Sequence, residues 1–137
     1  MATPTPIEAR RFYRVAHQRF EDAEILFENN RTTGAMYLAG YAVECALKAL
    51  LFASIPPSRH AKLLQSFSGK IGHDYEWLKR RLRTNGVAIP AEAARRLRFV
   101  SSWSTDLRYA AGRQDLKETR AFLDAAAQIV KWIERSF

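Results

Sequence analysis

Apolar residues recur at spacings of three and four along most of the chain, and no run of strand length alternates apolar with polar. Ala9, Phe12, Ala16, Phe20, Ala23 and Phe27 make one stripe and predict a first helix. Pro4 and Pro6 fix its start, Thr5 is placed to cap it, and Asn29-Asn30 stops it. Thr32 or Thr33 is expected to cap a second helix that runs to about Ser54, where Pro56-Pro57 ends it. Within residues 58–72 the stretch AKLLQSF suits a short helix, broken by Gly69 and Gly72. Asp74 to Arg83 predicts a third long element with Tyr75, Leu78 and Leu82 on one face, closed by Asn85-Gly86. Pro90 opens a fourth, with Ala93 or Ala94, Leu97, Val100 and Leu107 inward, and Gly112 interrupts it. Asp115 caps a last helix striped by Phe122, Ala126, Ile129, Val130 and Ile133. The expected fold class is all-α: an antiparallel, up-and-down four-helix bundle with an additional shorter helix.

The second helix differs from the rest. Its segment YLAGYAVECALKALL is almost wholly apolar, yet holds Glu44 and Lys48 one turn apart, and small residues (Ala35, Ala39, Gly40, Ala42, Ala46, Ala49) alternate with large ones. That composition suits a helix pressed against neighbours on more than one side. Its two charges keep any charge-free apolar run well short of the roughly 20 residues that span a bilayer. The N-terminal MATPTPIEARR has no apolar core of a secretory signal. A cytoplasmic location without membrane association is therefore expected, with residues 1–137 as a single domain. The single Cys45 excludes an internal disulfide and reads as a small buried hydrophobe rather than a reactive thiol.

Charge changes the picture most. The net charge is +8, but residues 1–58 hold six basic and six acidic residues, and 114–137 hold four of each. The whole excess lies in 59–113, with twelve basic and four acidic residues. Lys79, Arg80, Arg81, Arg83, Arg95 and Arg98 are its nucleic-acid-binding candidates, with Arg96, Arg108 and Arg113 in the same segment. An excess so concentrated favours an anionic partner: nucleic acid, a nucleotide, or an acidic protein face. A solvated basic face without a ligand is the alternative. Phosphate loops, zinc spacings and hydrolase elbows are absent, so no cofactor or metal is expected.

Three segments carry a family resemblance. They are Tyr37-x-x-Gly40-Tyr41-x-x-Glu44-x-x-Leu47-Lys48-Ala49-Leu50-Leu51, then His73-Asp74-x-x-x-Leu78, then Trp103 followed by Arg108-Tyr109. In this order they resemble the HEPN domain family of bacterial and archaeal helical proteins. The resemblance implies a compact helical bundle, commonly a homodimer, often paired with a minimal nucleotidyltransferase in toxin–antitoxin-like systems. Many members are metal-independent ribonucleases that use an Arg, a polar residue, a few more positions and then a His near the last helices. Here the corresponding region reads Arg108-Tyr-Ala-Ala-Gly-Arg-Gln with no His after it. Arg10 and His17 have six residues between them but lie on the first helix, away from that position.

The residues themselves offer two chemistries. Glu44 on so apolar a helix needs a partner; Lys48 and Arg108 are both candidates, Arg108 because its fork can hold a carboxylate with two bonds. Tyr41, Glu44, Lys48, Arg108 and Tyr109 are thus expected to form a polar cluster, either a nucleotide or phosphate pocket or a network fixing helix register. If the chain cleaves RNA, Arg108 and Arg113 supply the cation and His73 the proton transfer, with Asp74 placed to orient its ring. The structural alternative is that His73 or Asp74 satisfies the free N–H groups of the third helix. Trp77 and Trp103 flank basic residues and could stack a base, or belong to the core as Trp132 does. The reading favoured is a non-catalytic HEPN-like binding module; a divergent ribonuclease and a purely structural protein adaptor are the alternatives.

Overall fold

The computed structural model describes Pro4, residues 6–69, 73–104, Leu107 and 112–137, with 103 and 104 described by backbone alone. Among these residues there are six α-helices and no strand: α1 (Ile7–Glu28), α2 (Thr32–Ser54), α3 (His60–Ser66), α4 (Tyr75–Thr84), α5 (Ala91–Ser104) and α6 (Leu116–Arg135), with a 3-10 turn, Pro57–Arg59, leading into α3. The all-α expectation holds. Thr5, Gly72, Arg108 and Tyr109, and the side chain of Trp103, lie outside the described residues.

The small residues of α2 explain its central position. Ala35, Ala39, Ala42, Ala46 and Ala49 are fully buried, which lets α1, α4, α5 and α6 all pack against this helix. By length and composition α2 could cross a bilayer, but 83% of its most apolar stretch is buried inside the protein, as a core helix requires. Fully buried Ala9, Ala16 and Ala23 of α1 face it, and the larger Phe12, Phe20 and Phe27 pack at the margin of the core. Phe122, Ala126, Ile129 and Ile133 of α6 and Leu97 and Val100 of α5 are fully buried, as their stripes predict.

Helix ends follow local chemistry. Asn30 takes a left-handed conformation after α1, with Arg31 N–H on the Leu26 carbonyl (2.8 Å) and Asn30 N–H on that of Phe27 (3.0 Å). Gly86 does the same after α4, with Val87 N–H on Leu82 (3.0 Å) and Gly86 N–H on Arg83 (3.1 Å). Both are six-to-one, five-to-two closures that satisfy the last carbonyls. Asp74 caps α4 by accepting from the N–H groups of Glu76 and Trp77, and Asp115 caps α6 through Glu118 N–H.

Thr32 and Thr33 depart from expectation. No side chain caps α2. Thr33 Oγ1 instead donates to the Gly112 carbonyl (2.7 Å), and Thr32 Oγ1 accepts from Gln114 N–H (2.8 Å). The threonines thus bind the approach to α6 onto the start of α2. Arg120 adds a second tie, gripping Glu24 of α1 through two hydrogen bonds of 3.1 and 2.8 Å.

Candidate functional site

Glu44 and Lys48 share the inward side of α2, and both are buried, at 6% and 5% exposure. Lys48 Nζ donates to Glu44 Oε2 at 2.9 Å, the i,i+4 pair that the sequence suggests. The ammonium also lies 4.8 Å from the ring centre of Phe67 and 5.8 Å from that of Phe12. Carboxylate and ring faces together replace the water that a buried lysine loses. Those rings belong to an aromatic chain, Phe12 stacked on Phe52 and then Phe67 and Trp77 edge-on, that runs from α1 to α4.

A second donor reaches the same oxygen. His73 Nδ1 lies 2.9 Å from Glu44 Oε2, and the His73 side chain is 49% exposed. Asp74 therefore caps α4 while His73, immediately before it, turns back onto α2. Asp74 does not orient the His73 ring; Glu44 does. Tyr75, next in sequence, sends its hydroxyl to the Gly40 carbonyl, one turn before Glu44. His73 and Tyr75, on either side of the Asp74 cap, thus lock the start of α4 against α2.

Burial, with Glu44 nearby, pushes the Cys45 thiol up to about 11 and holds it as an unreactive thiol. Burial raises the Tyr75 hydroxyl well above its ordinary value, with lesser contributions from Glu44 and Cys45. Tyr41 is raised chiefly by Cys45 and then by burial; it points to the thiol and is exposed rather than joined to Lys48 and His73. Of the expected polar cluster, the structure brings Glu44 and Lys48 together and adds His73. Arg108 and Tyr109 lie outside the described residues.

The basic segment divides. Lys79 is buried at 5% exposure with Nζ on Glu76 (2.6 Å), so it does not belong to the phosphate-facing set in which the sequence places it. Lying four residues after Tyr75 and three before Leu82, it falls on the buried face of α4, which accounts for this. Arg95 is exposed but lies 3.6 Å from Glu92. Arg80, Arg81 and Arg83 of α4, Arg98 of α5 and Arg113 before α6 are exposed, with no carboxylate in ion-pair range among the described residues. Arg59 and Lys62 are exposed and equally unpaired. They stand alone in sequence rather than in a cluster, which hides them until α3 brings them beside α4.

A HEPN domain family model matches residues 9–136. The chain belongs to the HEPN domain family. No curated protein and no solved structure matches it. In this HEPN domain the buried Glu44–Lys48 pair lies in the YxxGYxxExxLKALL segment, and His73 in the HDxxxL segment reaches across to it. Two motifs far apart in sequence therefore meet on one carboxylate oxygen.

Two further ionisable groups were not legible as partners. His60 is buried, with Nε2 on the Phe52 and Ile55 carbonyls (2.9 and 3.2 Å) and Nδ1 on Glu8 Oε2 (3.0 Å), so it closes the end of α2. The His60 contact is the main reason the Glu8 carboxyl lies below its ordinary value. Buried Glu134 of α6 accepts from the Tyr13 hydroxyl (3.2 Å) and faces His17, both on α1.

Proposed function

We propose that this HEPN domain is a non-catalytic binding module that takes an anionic partner, RNA or a nucleotide, on the basic surface of residues 59–113. One observation carries the reading: Arg80, Arg81 and Arg83 of α4 and Arg98 of α5 are exposed, without carboxylate partners among the described residues. Guanidinium groups without a carboxylate partner gain most from phosphate, because no counter-charge has to be displaced first. The Glu44–Lys48–His73 group supports the same reading from the other side, since its buried members satisfy one another and fix α4 on α2. The proposal extends to a homodimer, to a nucleotidyltransferase partner in a toxin–antitoxin-like pair, and to a cytoplasmic setting; family membership is what supports these. We also read residues 1–137 as one domain whose long helices form an up-and-down bundle, supported by the short α1–α2 link and the packing of α6 on α2 and α5.

A second reading has its own observation. Glu44 fixes Nδ1 of a half-exposed imidazole, leaving Nε2 for proton transfer at the surface. This favours a divergent ribonuclease using His73 with Arg108 and Arg113. Incubating the purified protein with RNA in EDTA separates the two. RNA bound and recovered at full length supports the module; cleavage that His73→Ala abolishes transfers the case to the ribonuclease. Neither binding nor cleavage leaves the protein adaptor.

A further inference from the structure

A groove of about 450 Å³ opens between α3 and α4. That volume lies within the range of small-ligand sites, roughly 300–1,000 Å³. Ile55 and Leu63 contribute apolar lining, Arg59 and Lys62 line it from the α3 side, and Trp77 and Arg81 line it from α4. None of the three cations has a carboxylate in ion-pair range among the described residues. The Arg81 guanidinium sits over the Trp77 indole, 5.7 Å from its ring centre, and Trp77 is braced edge-on by Phe67 at 6.1 Å. A fixed aromatic plane, a guanidinium layered on it and two facing cations are thus gathered in one concavity.

Two further polar side chains line the groove, Thr84 and Asn85. Thr84 Oγ1 donates to the Arg80 carbonyl and Asn85 Nδ2 to the Arg81 carbonyl, both at 2.8 Å. What these side chains still offer the groove is the Thr84 and Asn85 oxygens as acceptors and the second Nδ2 hydrogen of Asn85 as a donor, suited to the mixed donor and acceptor edge of a base. An acidic peptide would use the cations but has no need of the aromatic plane. A nucleotide uses both: phosphate for the cations, a flat base for the indole and guanidinium.

We infer that the α3–α4 groove is a nucleotide-binding subsite for single-stranded nucleic acid, in which Arg59, Lys62 and Arg81 hold the phosphates and Trp77, with Arg81 layered on it, carries an unstacked base. The inference rests on the nucleic-acid reading of the basic surface and adds the place and the strand form. A base held in a duplex presents no free face, so the groove selects single strands.

The test is fluorescence anisotropy with labelled oligo(U), oligo(dT) and a duplex RNA, at one fixed salt concentration. Arg59→Gln/Lys62→Gln changes two exposed residues and leaves the core intact; Trp77→Leu removes the aromatic plane. Each is expected to weaken single-strand binding about 10-fold, the scale of one lost base stack or phosphate grip, with duplex binding changed far less. Preference for oligo(U) would mark RNA as the ligand, and equal binding of the two oligomers would mark single strands of either sugar; both support the subsite. Arg83→Gln/Arg98→Gln is the control on the wider surface. If it weakens single-strand binding while Arg59→Gln/Lys62→Gln does not, the groove is not the subsite and the wider reading stands. If the unaltered protein binds none of the three nucleic acids, that reading fails and the inference fails with it.

Discussion

Lys48 shows how a charge is kept inside this protein: one carboxylate oxygen and two ring faces surround the ammonium. Removing only the carboxylate leaves the cation buried without its counter-charge. Glu44→Ala should therefore cost about 3–5 kcal/mol in urea unfolding, whereas Glu44→Ala combined with Lys48→Met should recover most of the loss. A double variant as unstable as the single one would mean that the pair is not the source of the cost. The acid–base spacing of Glu44 and Lys48 was legible from sequence, because four residues on a helix fix proximity. The bond from His73 was not, because it depends on how α4 lies against α2. Cys45 was read correctly as a buried small residue for the same local reason: it sits inside the apolar run. Its thiol should resist thiol reagents in the native state and react once denatured. Since its folded value is raised from 9.0 to about 11, its contribution to stability is fully present below 9.0 and is lost as pH rises through about 11. Tyr75 and Tyr13 are raised too and act in the same direction. Cys45→Ala should flatten part of this alkaline loss, read as unfolding midpoint against pH.

The helices were legible where the chain itself supplies the stop or the cap. Asn29-Asn30 and Asn85-Gly86 end α1 and α4 through left-handed residues, and Asp74 and Asp115 begin α4 and α6. Thr32 and Thr33 mislead because a threonine hydroxyl serves a distant backbone as readily as its own helix, and here it holds the loop before α6. The closure of α2 by His60 has the same character, since its second nitrogen is held by Glu8, far away in sequence. Asp74→Ala tests how far one cap matters. It should cost about 1 kcal/mol, the usual value of an N-cap side chain, and Asp74→Asn should restore most of it. Because His73 precedes the cap, the loss should also free its ring from Glu44, seen as a change in the His73 imidazole proton resonances. Unchanged resonances would show that Tyr75 and the aromatic chain hold α4 without the cap.

Across the molecule, charge is sorted rather than scattered. The two flanking segments are neutral and the middle one carries the excess of +8. Sequence alone locates that segment, but not which of its cations face water: Lys79 turns inward to Glu76, while Arg80, Arg81, Arg83 and Arg98 stay outside without a carboxylate partner among the described residues. Binding to such a surface releases counterions, so its affinity must fall with salt, by about 0.7 in log–log slope for each single-strand phosphate held. The most direct measurement is the salt dependence of RNA affinity for the unaltered protein and for Arg80→Ala/Arg83→Ala/Arg98→Ala. The account predicts a steep linear fall, and a slope shallower by about 2 in the triple variant. A slope that is flat, or the same in both proteins, would contradict the claim that this face of the HEPN domain takes nucleic acid.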